Sequence, residues 1–452
     1  MHATPKTSTT THTTDTTDTP RKQAFVLLEL LNHMVLIARE AKNRGFHVIA
    51  LNHDPLLTDG PFAVPEGVVD EVVPVASWAD AEAVDGIVDD VLTRYDVIGT
   101  YAAFEGALRH EARLRERSGL PTSGATTVTR ALDKALVRGT LYREGLTTLR
   151  STTLTEALTW DDWRFDRAAV LKPANGTGSA LCFTVASLGE LRAATAEIAA
   201  VKVTNALMKQ YILAHGEFVL EERAEGELLS VESLVHRGEV HVVGLTGRYV
   251  SALDPVVELG ACFPYPHPRG EEIVARAVEF HRALGITHGP THLEVMVPDE
   301  GPIELIDFNL RTIGAGMSVC IGNAFGIEYA VPLTDLACGR CPDLSFLARA
   351  PRHSADLLLL PPPGATVMTD LAFPEGTEYG RVTKPFGQPL SGRADQLDVV
   401  AMVVVNADTP EELHRRALEA RKTTVFNGEP LGDNPNNQVV SPRSYQFTAT
   451  PA

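Results

Sequence analysis

The stretch "GPIELIDFNLRTIGAG", residues 301–316, sets Glu304, Asp307, Asn309 and Arg311 among Ile, Leu and Phe. Asp307 and Asn309 are two residues apart, so on a strand they share a face. Just upstream, "THLEVMV" carries Glu294 on a run that reads as the antiparallel neighbour. Two carboxylates and an amide oxygen on a rigid sheet are hard oxygen ligands of the kind that suit Mg²⁺ bound to phosphates. Arg311, two further along the same face, is placed for a phosphate or a carboxylate. A polar sheet edge would also place charge here. Leu305, Ile306 and Phe308, however, leave the acids in an apolar setting, where an uncompensated carboxylate is costly. Glu304 falls on the other face from Asp307 and is the weaker candidate.

Two further stretches carry chemistry less distinctly. In "LKPANGTGSA", Gly176 and Gly178 leave backbone N–H groups open to close approach by an anion, and Lys172 stands just before them. The Lys precedes the glycines and the loop joins two strand-like runs, so this is not a Walker A loop. An ordinary hairpin with a surface Lys accounts for the stretch equally well. "VLEERAEGE", residues 219–227, is a strand ending in two acids and a turn. It could hold an adenine amino group and a ribose through backbone and carboxylate, but a solvated acidic turn explains it at least as well.

The elements around these residues alternate in a readable way. "AFVLLEL", "HVIALN", "EVVPVA" and "DVIGTY" are apolar strand runs. Between and after them lie helical patterns at "HMVLIAREAKNRG", around 79–94 and around 104–118, with Gly45 as a C-cap. This is a parallel α/β unit, and it lacks GxGxxG after its first strand, which weakens a dinucleotide-binding reading. One helix with a Thr cap follows, stopping at Gly145. The remainder reads as antiparallel strands, an amphipathic helix at "EEIVARAVEFHRALG", and a final α+β segment from about 351 to 430. The fold class expected is therefore α/β and α+β.

Length and charge bound the function. A chain of 452 residues suggests two or three domains. A net charge of -18 argues against nucleic-acid binding, which needs a basic face. Five unevenly spaced cysteines do not make a disulfide framework. Cys338 and Cys341 form one CxxC without a second pair, so they read as two helix residues rather than zinc ligands. Residues 1–20 are Thr-rich and nearly free of large apolar side chains, which predicts a disordered tail. No segment approaches membrane-spanning length, and the default location is cytoplasmic.

Taken in order, these pieces resemble the ATP-grasp superfamily over roughly residues 24–430. "ALDKALVRGTLYREGL" resembles the helix with an early nucleotide-contacting Lys, here Lys134. "VLKPANGTGSA" is similar to the second Lys and flexible glycine-rich loop, and "VLEERAEGE" to the adenine hinge. "HLEVMV" with "GPIELIDFNLR" resembles the acid, acid, Asn, Arg signature for metal and phosphate. "YVSALDPVVELGACFPYP", "THLEV" and the C-terminal segment look most like the L-amino-acid ligases, which join two amino acids, or an amino acid and another amine, with formation of ADP.

The resemblance implies an ATP-grasp fold. A disordered tail (1–22) would precede an N-terminal parallel α/β domain (23–125). Linker helices with a central lid subdomain (126–228) and a C-terminal antiparallel domain with an α+β extension (229–452) would follow. It implies ATP and Mg²⁺ (or Mn²⁺) as cofactors, small-molecule carboxylate and amine substrates such as amino acids, no nucleic-acid or membrane partner, and a homodimer as the common assembly. Nucleotide would contact Lys134, Lys172, Asn175, Gly176, Thr177, Gly178, Ser179, Glu221, Glu222, Ala224 and Glu227. Glu294, Asp307 and Asn309 would hold the metal. Arg311 and Lys172 would act in catalysis, and Glu258, Arg311 and Gly314 would meet substrate. Tyr249 and His292 are weaker candidates for the amine.

The sequence departs from the family pattern at Asp307, where Glu is usual, at Leu228, where a ribose-binding Glu is common, and at Arg223, often aromatic. The glycine-rich loop also lacks its usual basic residue. A ligase acting on a non-amino-acid carboxylate and a non-catalytic nucleotide-binding protein remain open alternatives.

Overall fold

The computed structural model describes residues 21–31, 34–53, 66–176, 181–200, 216–254, 257–390, 392 and 398–443. The expected Thr-rich tail and the loop residues Thr177, Gly178 and Ser179 lie outside them. A parallel four-stranded sheet comes first, in the order Glu71–Val75, His47–His53, Lys22–Leu28, Tyr95–Ala102. Its two inner strands, Lys22–Leu28 and His47–His53, are mostly buried apolar runs, as strands covered on both faces require. Helices Met34–Asn43, Ala81–Arg94 and Glu105–Ser118 connect and flank it. Asp80 caps the second of these by accepting from the Ala83 N–H.

The single helix expected before Gly145 is two, Ala125–Ala131 and Lys134–Arg143. The break falls at Asp133, whose carboxylate accepts from the Leu136 N–H and starts a second helix. Gly124 stands at the N-terminus of the first, which has no side-chain cap, so the expected Thr cap is corrected. The CxxC is corrected too: Cys338 caps the end of helix Ala330–Ala337, and Gly339, at φ 70°, turns the chain so that Cys341 falls outside it.

A small antiparallel sheet follows, ordered Ser151–Thr153, Phe218–Glu222, Ala169–Pro173, Phe183–Val185. It has a core of its own, in which the rings of Trp160 and Phe165 meet edge to face at 5.3 Å beside Leu171, Leu191 and Leu220. The largest element is a nine-stranded sheet. Along it run Glu304–Asn309, Gly289–Val297, Glu227–His236, Glu239–Ser251, Glu258–Phe263, His353–Leu359, Ala401–Ala407 and Tyr379–Val382, with Val439–Val440 paired to Glu239–Ser251. The C-terminal α+β segment thus extends one continuous sheet. Helix Gly270–Leu284 buries Ile273, Ala277, Phe280 and His281, a spacing that puts all four on one stripe. Among the described residues no helix is long and apolar enough to cross a membrane.

Glu29, at the end of the first parallel strand, is fully buried. Burial pushes its carboxyl from an ordinary value near 4.5 up to about 7, against the opposing hydrogen bonds from the Trp78 indole and the His53 backbone N–H. A raised acid pKa means the native state keeps a proton that the unfolded state has released. Stability then falls as pH rises from about 4.5 to about 7 and is flat above. The Glu29→Gln variant is expected to lose this slope. In urea titrations it should be roughly 2–3 kcal/mol more stable than the parent at pH 8, with little difference at pH 4.5.

Candidate active site

The nine-stranded sheet presents one face to a cavity of about 1400 Å³, roofed by the small antiparallel sheet. Glu294 lies opposite Asp307, and His292 opposite Asn309, across the antiparallel pair. Period-two alternation and this register put Glu294, Asp307, Asn309 and Arg311 on the same cavity wall, as the spacing in the sequence predicted. Lys134, Lys172, Gly176, Glu221, Glu222, Ala224, Glu227, Glu258 and Gly314 line the same cavity. Asn175 is not part of its wall. Glu304 points the other way, as expected: it is buried and accepts from the Thr148 backbone N–H (2.9 Å) and hydroxyl (2.8 Å) and from the Thr147 hydroxyl (2.5 Å).

Lys134, Lys172, Arg248 and Arg311 on the wall each face a carboxylate. Lys134 Nζ is 2.9 Å from Asp307 Oδ1 and donates to the Gly176 carbonyl at 3.0 Å. Burial pushes the Lys134 pKa down, but the Asp307 charge and hydrogen bond more than restore it. Lys172 Nζ reaches Glu221 at 3.2 Å and the Ile306 carbonyl at 3.2 Å. Arg138, 3 % exposed, donates to Glu221 at 2.7 Å and to the Leu305 carbonyl at 2.5 Å. Both hinge carboxylates are therefore engaged: Glu221 with Arg138 and Lys172, Glu222 with the Arg150 guanidinium at 2.6 Å. Glu227 accepts from the Tyr265 hydroxyl at 2.6 Å and the Arg443 N–H at 2.9 Å.

At the acid end, Arg248 binds Glu258 at 2.8 Å and Glu294 at 3.4 Å. Burial pushes Glu294 up, yet the His292 hydrogen bond and the nearby Arg248, His292 and Arg311 charges outweigh it and hold the carboxyl at about 2. Glu258 goes the other way, raised first by burial and then by Glu294, with Arg248 opposing. Arg311 is held by Glu105, at 2.7 Å from Nε and 2.5 Å from Nη2. Glu105 opens helix Glu105–Ser118, so the parallel sheet's own layer reaches the site.

Sequence reasoning missed Glu105, Arg248 and Asp356. Asp356 is 1 % exposed, lines the cavity, and accepts the Gly316 N–H at 2.9 Å; burial raises its pKa to about 6. The one signal available was for Arg248, an arginine in the strand-like run "GLTGRYVS". Tyr249, the next residue, points to the opposite face. It is fully buried, its ring stacks on His414, and it does not reach the cavity.

Among the described residues no three or more His, Cys, Asp or Glu are grouped as a metal cage. The oxygen donors that could hold a cation here are Glu294, Asp307 and the Asn309 amide. That suits a cation which keeps waters and arrives partly coordinated by phosphates.

Residues 165–320 match the family model of the ATP-grasp domain. The alanine–anticapsin ligase of Bacillus subtilis is 24 % identical over 279 residues, 55 % of this chain and 56 % of the relative. The chain thus spans about half the length of the curated relative it matches. An L-amino acid ligase from Bacillus licheniformis superposes with a TM-score of 0.75 at 20 % identity, over 90 % of this chain and all but 1 % of that one, its coverage being 99 %. The biotin carboxylase domain of the Hydrogenobacter thermophilus 2-oxoglutarate carboxylase, solved with MgADP, ADP and bicarbonate, gives 0.65 at 16 % identity, over 92 % and 91 % of the two chains. Residues 165–320 form an ATP-grasp domain, set in a chain with the ATP-grasp fold.

Proposed function

We propose that this protein is an ATP-dependent carboxylate–amine ligase that joins two amino acids, releasing ADP and phosphate. The observation that carries the reading is the row Glu294, Asp307, Asn309 and Arg311, in register on one cavity wall with Lys134 and Lys172 close by. The similarity to amino-acid ligases supports the choice of substrates, and the MgADP-bound structure with the same fold supports the cofactors.

Glu294, Asp307 and Asn309 would hold Mg²⁺, which when bound with ATP would neutralise phosphate charge. Lys134 and Lys172 bind phosphate oxygens, and the backbone after Glu221 holds the adenine. A substrate carboxylate oxygen bonds to the γ-phosphorus as the bond to ADP breaks, giving an acylphosphate. The second substrate's neutral amine then bonds to the acyl carbon. Phosphate leaves with the bonding pair and takes up the proton that the amine gives up. Arg311 stabilises the oxyanion that forms between these events, and Glu258 contacts the amine. The roofing sheet keeps water from the acylphosphate.

The test is phosphate release by the purified protein with Mg²⁺, ATP and pooled L-amino acids, with mass spectrometry of the products. Release that requires two amino acids, with a product mass equal to both minus water, is expected. Phosphate release without an amide would point to a different acceptor, and bicarbonate or another carboxylate would be tried next. No release with any pool would leave a binding role.

A further inference from the structure

We propose that Glu232 and His292 form a buried support that fixes the orientation of Glu294 as a metal ligand. The inference rests on the ligase reading above, because it takes Glu294 as a ligand.

Three strands meet at this point. Glu232 on Glu227–His236, His292 on Gly289–Val297 and Thr246 on Glu239–Ser251 are 2 %, 3 % and 0 % exposed. The Glu232 carboxylate accepts from the Ser230 hydroxyl at 2.9 Å and the Thr246 hydroxyl at 3.1 Å, and lies 3.0 and 3.1 Å from His292 Nδ1. Nδ1 must therefore donate, which fixes the ring and turns its other nitrogen outward. That nitrogen, Nε2, sits 3.3 Å from Glu294 Oε1 and 3.2 Å from Arg248 Nη2. Arg248 Nη2 approaches the same oxygen at 3.4 Å. One oxygen of Glu294 is thus gripped from behind by two groups that are themselves held, which restricts the rotation of its carboxylate on the cavity wall.

A buried histidine with two partners is also what a merely structural contact between strands looks like. The two roles differ in what they predict. A strand contact contributes to stability alone. A support for a ligand also sets metal affinity, and loss of such outer partners commonly weakens it 10–100-fold.

The experiment titrates Mn²⁺ into the full-length protein with a non-hydrolysable ATP analogue and reads free Mn²⁺ by electron paramagnetic resonance. His292→Gln is expected to weaken Mn²⁺ binding about tenfold or more. Glu232→Gln, which leaves the ring in place but loosens it, should weaken it several-fold. The double variant should be no weaker than His292→Gln, because the two residues act through one oxygen. Binding of the analogue in EDTA should be unchanged in each. Mn²⁺ affinities within twofold of the parent in both single variants would overturn the proposal. If His292→Gln does not fold, Glu232→Gln decides alone by the same criterion. A parent protein that binds no Mn²⁺ with the nucleotide would overturn the ligase reading itself, and this is seen before any variant is made.

Discussion

Arg138→Met is expected to destabilise the fold by about 3–5 kcal/mol, the usual cost of removing one partner from a buried ion pair. The guanidinium joins four groups: Glu221, the Leu305 carbonyl, the Thr147 hydroxyl at 3.0 Å and Glu304 at 3.7 Å. These come from the segment after helix Lys134–Arg143, from the roofing sheet and from the strand that carries Asp307. Methionine fills similar volume, so the loss would be electrostatic. Glu304 keeps its threonine and backbone donors, but Glu221 would keep only Lys172. The variant should also change the pH profile. Burial raises the Glu221 pKa, and the Arg138 and Lys172 charges then bring it below the ordinary value. A depressed acid contributes stability that is present above its unfolded pKa and lost as pH falls through the folded one. Without Arg138 the folded pKa rises, so acid unfolding should begin at higher pH. Urea titrations across pH 4–8 would show both effects. Equal midpoints for variant and parent would mean that the pairs contribute nothing net.

The larger functional effect is expected at Arg311. Arg311→Met should lower kcat/KM about 10²–10³-fold, the range seen when one charge-stabilising donor is lost from a reacting centre. The loss should appear in kcat, because the oxyanion exists only after the substrates are bound. ATP binding, measured separately by calorimetry, should change much less. The single variant also takes the guanidinium from Glu105, which is 5 % exposed. Arg311→Met combined with Glu105→Gln should therefore be more stable than Arg311→Met alone, with no recovery of rate. A variant with unchanged kcat would remove Arg311 from the reaction.

The sequence made one part of this site legible and hid another, for a physical reason. Glu294, Asp307, Asn309 and Arg311 could be placed together because strand alternation is local and two adjacent strands sufficed. Lys134 and Lys172 came through their motifs. Arg138, Glu105 and Arg248 answer those residues from a distance: Arg311 and Glu105 are 206 positions apart, and Arg138 and Glu304 are 166 apart by their numbers. No local pattern encodes such a partner. The paired helices before Gly145 were misjudged on a smaller scale. Asp133 falls inside the single helix expected there, although its short carboxylate favours a cap, and the cap won.

The pairing of the cavity's cations has a consequence for how salt acts on the protein. Lys134 rests on Asp307, Lys172 on Glu221, Arg248 on Glu258 and Arg311 on Glu105. A polyanion entering such a site performs an ion exchange, trading internal partners for external ones. It does not simply neutralise an open basic surface. Exchange between enclosed pairs is poorly screened, because the mobile ions that weaken exposed contacts do not enter. Nucleotide affinity should then fall only gently with ionic strength, and the acidic exterior of the chain, net -18, would repel the ligand at long range more at low salt than at high.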